Sequence, residues 1–262
     1  MKRNVSSMKI YVINLARSAD RKKSITTQLN KLRLAFELVE AVDGKALSYD
    51  ELLNSVDRKR YDGWTELQRP GAIGCALSHR RAYQKMIEEG VPCALILEDD
   101  VEVSCHLPAL LEYLAADLTD GSLLLLHLHS SWPVGLSQSD RTPLPHGHLL
   151  HAVSKYTYFG SAAGYMLNRN TAAALTNKQT PIFTLADNWV QFRNVGALER
   201  FSLVVPSLVT AKGFKSAIGY SEAKSLRRRL VAGAEALPIV VSLLAALRRI
   251  ADKRRYRIEY VD

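Results

Sequence analysis

The residues best suited to chemistry are three consecutive carboxylates, Glu98, Asp99 and Asp100, at the end of the apolar run Ala94–Leu97. A short apolar run with polar bounds reads as a buried strand of a parallel sheet. Three acids at its tip would repel one another in a dry core. They become reasonable if the strand opens on a crevice that holds a cation, because ligands of open α/β sheets sit at the carboxyl ends of strands. Mg²⁺ and Mn²⁺ take carboxylate oxygens, and one or two suffice when the ion also bridges a substrate phosphate. A solvated acidic turn is the competing reading of the triplet taken alone.

The elements that would position these acids follow from periodicity. Lys9–Asn14 reads as a first strand, with Ser18 as N-cap of a helix to about Arg33 whose Ile25, Leu29 and Leu32 share one face. Phe36–Val42 reads as a second strand stopped by Asp43-Gly44, which gives a β–α–β start with a right-handed crossover. Leu47–Trp64 is weakly patterned, a short helix and a loop. Pro70-Gly71 opens a helix to about Glu89 with an apolar stripe (Ile73, Ala76, Leu77, Tyr83, Met86, Ile87), ended by Gly90 and Pro92. His106–Asp117 reads as helix and Ser122–Leu128 as strand. Ser130–Gly147, rich in Ser, Pro and Gly, reads as a long loop of the kind that forms lids. Tyr156–Leu167 suits one or two strands around Gly160 and Gly164, Arg169–Thr176 and Ala186–Arg193 look helical, and Leu198–Val205 reads as a last strand.

The 262 residues carry a net charge of +9. From Ala211 onward there are 12 Lys/Arg against 5 Asp/Glu, a net +7, which leaves +2 on the first 210 residues. The basicity belongs to a tail, which argues against a nucleic-acid surface on the body. Basic clusters (Arg227–Arg229; Arg248, Arg249, Lys253, Arg254, Arg255, Arg257) flank the apolar Ala236–Leu247. Twelve residues are too short to span a bilayer, so the segment reads as an amphipathic anchor at an anionic membrane surface; a C-terminal helix packed on the body is the alternative. The organisation expected is a body over 1–220 and a tail over 221–262. Cys75, Cys93 and Cys105 form no CxxC pair, so a disulfide framework is not expected. Nor is a secretory leader, since Met1–Met8 is polar and Ile10–Leu15 runs into Arg17, Asp20 and Arg21. A β–α–β start, a central strand ending in acids and a glycine-punctuated strand near Gly160 together suit a nucleotide-diphosphate site, where a metal would stabilise the diphosphate as leaving group. Asn14 could bond a base or ribose, or simply cap its strand.

The sequence resembles glycosyltransferase family 25, the bacterial lipooligosaccharide galactosyltransferases and their relatives. The resemblance rests on Ile10–Leu15 with Asp20-Arg21, Ala41-Val42-Asp43-Gly44, Gly71-Ala72-Ile73-Gly74-Cys75-Ala76-Leu77-Ser78-His79, Ile96-Leu97-Glu98-Asp99-Asp100-Val101, Gly160–Leu167, Asp187 and Lys215–Ile218, in order over roughly residues 9 to 220. It implies an α/β, GT-A-like fold with a mostly parallel central sheet. It also implies transfer of galactose or a similar hexose from a UDP-sugar donor, with inversion, onto a lipopolysaccharide or other lipid-linked oligosaccharide acceptor. The implied divalent cation, Mn²⁺ or Mg²⁺, has Asp100 as principal ligand, with Glu98 or Asp99 as helper or ribose contact. The donor contacts implied are Asn14, Leu15, Arg21, Ser78, His79, Glu98, Asp99, Gly160 and Gly164. With the basic tail, the resemblance places the protein peripherally on the cytoplasmic face of an inner membrane. The family often has Pro-Val-Asp near the acceptor side; here Leu185-Ala186-Asp187 keeps the aspartate and loses the proline.

An inverting transferase needs a base for the acceptor hydroxyl, and a carboxylate is the usual one. Asp187, opening a helix after a loop, is the candidate, with a purely structural N-cap as the alternative. Ser78 and His79 are helix neighbours about 100° apart, hence no dyad; they shape the pocket, or His79 is a buried histidine satisfied by backbone. His127 and His129 share a strand face, with His146, His148 and His151 downstream, but no acid or cysteine stands at zinc spacing beside them. Trp132, Tyr156 and Tyr158 could stack on sugar rings. Two other classes remain open: a nucleotidyltransferase, for which Leu15–Lys22 lacks the phosphate-loop glycines, and a membrane-docked binding module without catalysis.

Overall fold

The computed structural model describes residues 8–63, 69–130, 132–212 and 258–261. The chain opens as expected with β1 (Lys9–Asn14), α1 (Ala19–Lys31) and β2 (Glu37–Glu40), the two strands parallel. Ser18 stands at the N-cap of α1 without a side-chain cap bond. Short helices α2 (Tyr49–Ser55, closed by a Ser48–Glu51 capping box) and α3 (Arg58–Gly63) lead to α4 (Pro70–Glu88). Then follow β3 (Cys93–Glu98), β4 (Val101–Val103), α5 (Leu107–Asp117) and β5 (Ser122–Leu125). The second half contains β6 (Val134–Pro143), β7 (Leu149–Tyr156), β8 (Gly164–Asn168), α6 (Arg169–Lys178), α7 (Trp189–Asn194), β9 (Arg200–Val205), β10 (Val209–Ala211) and β11 (Ile258–Val261).

Nine strands form one sheet in the order β11-β6-β7-β9-β5-β8-β3-β1-β2; β4 and β10 form a separate antiparallel pair. Both faces of the central strands are covered. Along β1, Tyr11 and Ile13 join the cluster that includes Ile73, Ala76 and Tyr83 of α4, whereas Ile10 and Val12 join Ile25 and Leu29 of α1 and the leucines of α5. β3 divides the same way, Ala94 and Ile96 against Leu95 and Leu97. Burial on both faces is the reason that stretch is continuously apolar rather than alternating.

The expected mostly parallel sheet is not what forms: the sheet is mixed. β1–β2, β1–β3, β5–β9 and β6–β11 are parallel, whereas β3–β8, β5–β8, β7–β9 and β6–β7 are antiparallel. β6 and β7 are joined by the tight connection at 144–148, which only an antiparallel pair permits. The expected lid loop at 130–147 is largely β6. Its first four residues are buried and its last six exposed, so neither half shows the alternation that marks a strand. Leu198–Val205 is followed by two further strands, the second of them at the far end of the chain against β6. The matches at 215–218 and the basic tail through residue 257 lie outside the described residues. Among the described residues no helix is long and apolar enough to cross a membrane.

Candidate active site

β1 and β3 are parallel neighbours with Ile13 opposite Glu98, so Asn14 and Asp99 leave the sheet at one edge. There Asn14 Nδ2 donates to Asp99 Oδ2 at 2.6 Å. Arg21, one turn into α1, donates to Asp99 Oδ1 at 3.1 Å and reaches Asp100 Oδ2 at 3.1 Å. Asp99 thus has both oxygens engaged, and its side chain is 8% exposed, against 23% for Asp100 and 29% for Glu98. Burial pushes the Asp99 carboxyl up, and Asn14 and Arg21 oppose that. Asp100 is pushed up to about 6, first by burial and then by Glu98, against the pull of Arg21. The Arg21 guanidinium pairs with Asp99 and Asp100 and leaves Glu98 to the other wall, so the three carboxylates outnumber the one guanidinium at the mouth of the strand. Glu98 and Asp100, which open on the cleft, are the acids that fit a divalent ion; Asp99 organises the floor beneath them.

α4 forms the opposite wall. It starts with Pro70 at its first turn, a position where the missing N–H costs nothing. Gly74 lies against the 42–44 loop so closely that a Cβ there would be 2.5 Å from Gly44 N and 2.6 Å from Val42 O. Ser78 Oγ accepts the Val42 N–H at 2.8 Å and donates to Gly74 O at 2.6 Å, fixing helix to loop. Cys75 and His79, one turn apart, present their heads to the tip of β3. His79 Nδ1 lies 2.7 Å from Tyr165 Oη, itself 2.7 Å from Tyr83 Oη, while Nε2 is 3.4 Å from Glu98 Oε1. His79 is therefore buried but satisfied by side chains, not by backbone. Burial pushes the Cys75 thiol up, reinforced by Glu98, Asp187 and Asp100. The cleft between these walls is lined by Leu15, Arg17, Arg21, Val42–Gly44, Cys75, Ser78, His79 and the acid triplet.

Asp187 approaches from the C-terminal half. Asn188, not Asp187, caps α7, its side chain accepting the Gln191 N–H. Asp187 Oδ2 accepts instead the Ser161 N–H at 3.3 Å. Burial and then Glu98 raise its carboxyl. Ser161 has φ 112°, a region that residues with a Cβ rarely occupy. His127 Nδ1 at 2.6 Å from its Oγ, Trp189 Nε1–H donating to its carbonyl at 3.1 Å, and Asp187 hold it there.

Of the residues singled out from sequence, Asn14, Leu15, Arg21, Ser78, His79, Glu98, Asp99 and Asp100 come together at the cleft. Gly160 stands apart from its lining, against Asp187, whose Oδ2 would be 2.9 Å from an added Cβ. Gly164 does not line it either: Val209 fills the space beside it, with a methyl 2.9 Å from an added Cβ. His127 serves Ser161, whereas His106 and His148 form their own pair at 3.1 Å, with His146 stacked on His106. Tyr156 is packed edge-on against Phe159 and Phe201; Trp132 is 56% exposed. Sequence reasoning missed the strained Ser161 and the support of His79 by Tyr165. Both residues sit in the Gly160–Leu167 stretch, but their partners are 26 and 86 positions away.

A family model described as glycosyltransferase family 25 (LPS biosynthesis protein) matches residues 7–190. The chain is 31% identical over 97 residues to procollagen galactosyltransferase 1 of Danio rerio, a match covering 35% of this chain and 16% of that protein. It is 31% identical over 115 residues to inactive glycosyltransferase 25 family member 3 of Homo sapiens, covering 42% and 19%. The chain spans less than a fifth of the length of these relatives. A solved structure described as mannose-1-phosphate geranyltransferase from Thermus thermophilus superposes with a TM-score of 0.35 at 10% identity, over 76% of this chain and 73% of that one.

Proposed function

The chain belongs to glycosyltransferase family 25, and from that premise we propose that it is an active, inverting hexosyltransferase with a GT-A-like fold. It takes galactose, or a similar hexose, from a UDP-sugar and places it on a lipopolysaccharide-type or other lipid-linked glycan while docked on an anionic membrane surface. The observation that carries the reading is the edge shared by β1 and β3, where Glu98 and Asp100 open on the cleft above the Asn14–Asp99–Arg21 network. Its net negative charge suits a cation, and Mn²⁺ or Mg²⁺ held by Glu98 and Asp100 would neutralise the diphosphate leaving group.

The chain's own residues supply the rest. Asn14 and Arg21 hold Asp99 rigid, so the floor needs no rearrangement when a donor arrives. In the transfer, the acceptor oxygen bonds to the anomeric carbon as the bond from that carbon to the phosphate oxygen breaks. The hydroxyl proton passes to Asp187. A raised carboxyl is a better proton acceptor, and the Ser161 N–H keeps one oxygen directed. The cleft encloses about 100 Å³, below the roughly 300–1,000 Å³ of sites that envelop a whole ligand. It suits the diphosphate end of a donor, with the remainder over the open side.

The test is UDP release from UDP-galactose with Mn²⁺, with and without EDTA, followed by mass analysis of products from a panel of UDP-sugars and truncated core glycans. Metal-dependent release and a product one hexose heavier are expected. No metal-dependent release with any acceptor would favour a non-catalytic binding module; one relative in the family is described as inactive.

A further inference from the structure

Cys75, His79 and Glu98 are the group of three potential ligands that converge among the described residues: Sγ, a ring nitrogen and a carboxylate oxygen lie within 4.8 Å of one another. We propose that they form a second, thiophilic cation site in the wall of the cleft, of the Zn²⁺ class, with its fourth position open to the cleft. The assignment stands on this geometry and holds whatever sugar or acceptor the enzyme uses.

The spacing fits. With zinc–nitrogen and zinc–oxygen bonds of about 2.1 Å, tetrahedral coordination puts N and O about 3.4 Å apart, and with a zinc–sulfur bond of about 2.3 Å it puts S and O about 3.6 Å apart. His79 Nε2 is 3.4 Å from Glu98 Oε1, and Cys75 Sγ is 3.9 Å from the same oxygen. Both distances are close to what an ion between the three heads requires. The ligands also stand on rigid elements. Cys75 and His79 are four apart on α4 and share a face; Glu98 ends β3.

The outer contacts agree. Metal-bound histidines donate their other ring N–H to an oxygen, which fixes the tautomer. Here Nδ1 lies 2.7 Å from Tyr165 Oη, which is backed by Tyr83. A cation between Nε2 and Glu98 would replace their 3.4 Å contact and leave the ring proton on Nδ1, donated to Tyr165 Oη. A thiolate and an imidazole select Zn²⁺ over Mg²⁺, whose preferred ligands are oxygens. On binding, the Cys75 S–H proton is lost to solvent. The site shares Glu98 with the hard-ion site proposed above, so the two ions compete for that side chain.

The test uses the full chain stripped with EDTA and titrated with Co²⁺. One equivalent should give a thiolate-to-cobalt charge-transfer band, displaced by Zn²⁺ and not by Mg²⁺. The band should persist in Cys93→Ser/Cys105→Ser and vanish when Cys75→Ser is added. Tyr165→Phe should weaken Co²⁺ affinity by about 10- to 100-fold. In the unmutated chain, which avoids any question of folding, Zn²⁺ should protect Cys75 but not the exposed Cys105 from alkylation, read by peptide mass. Absence of the band, its survival without Cys75, or equal alkylation of Cys75 with and without Zn²⁺ would overturn the assignment.

Discussion

Replacing Gly74 by Ala sets two effects of opposite sign against each other. Helix propensity favours Ala in the interior of α4 by about 1 kcal/mol. The structure opposes it: the new Cβ would lie 2.5 Å from Gly44 N, 2.6 Å from Val42 O and 2.9 Å from Gly44 Cα. Ordinary contacts begin near 3.4 Å, so helix and loop must part by about 0.9 Å, the difference between 3.4 and 2.5 Å. The obstructing atoms are backbone and cannot rotate aside. They are held by Ser78 on Val42 N and by Arg81 Nη1 donating to Glu40 O at 2.8 Å. Overpacking of this kind costs roughly 1–3 kcal/mol. Because the obstructing atoms are backbone, the upper part of that range, about 2–3 kcal/mol, applies; against the ~1 kcal/mol of helix propensity the clash wins, with a net loss of about 1–2 kcal/mol and a fall in Tm of about 2–8 °C for a chain of this size. Urea unfolding should show a lower midpoint at unchanged slope. Gly63→Ala, where an added Cβ meets nothing within 4 Å, is the control and should be neutral or stabilising by up to about 1 kcal/mol. Because α4 carries Cys75 and His79, turnover in Gly74→Ala should also fall, by up to about 100-fold for a displacement near 1 Å. If Gly74→Ala proves as stable as the unmutated chain, the close approach of helix and loop is wrong.

Three further outcomes are expected. Asp187→Asn should lower turnover by about 10²–10⁴-fold and leave UDP-sugar binding by calorimetry unchanged; normal turnover would remove Asp187 as the base. Because Asp100 is raised from 3.8 to about 6 on folding, its proton uptake favours the folded state fully below about pH 4 and ceases to do so as pH rises through about 6. Asp100→Asn should therefore flatten the stability profile between about pH 4 and 6 and stabilise the metal-free protein at pH 7 on the order of 1–3 kcal/mol, measured by chemical unfolding at both ends of that window. Deleting residues 224–257 while keeping β11 should move the protein from anionic vesicles to the supernatant in sedimentation; unchanged partitioning would reject the anchor.

What could be read in advance was whatever a local period encodes. α4, expected from Pro70 to about Glu89, ends at Glu88, and β3 is one residue longer at each end than its apolar run. Asn14 and the acids Glu98, Asp99 and Asp100 were each legible as strand-end residues, and ligands of open α/β sheets gather at such ends; that β1 pairs with β3 and brings Asn14 onto Asp99 was not. Strand direction elsewhere was not, because β8 has the same composition whichever way it runs. β6 escaped because its burial changes from wholly inside to wholly outside halfway along, leaving no period of two. β11 is four residues at the end of a basic segment, too short to carry a pattern. The Asp187-Asn188 pair shows the limit at the site itself. Either residue suits a helix cap by type, and only the hydrogen bonds show that Asn188 caps and Asp187 turns to Ser161.

The Asn14–Asp99 bond has a kinetic consequence. Its partners are 85 positions apart, so the site's floor cannot form until nearly a hundred residues have been synthesised and β1 has found β3 across the intervening helices. Pairings of such long range, paid for in loop-closure entropy, form late. A carboxylate edge completed that late would make cation binding at the proposed site a report on finished folding: a chain stalled with β1 unpaired has the acids but not the edge that arrays them.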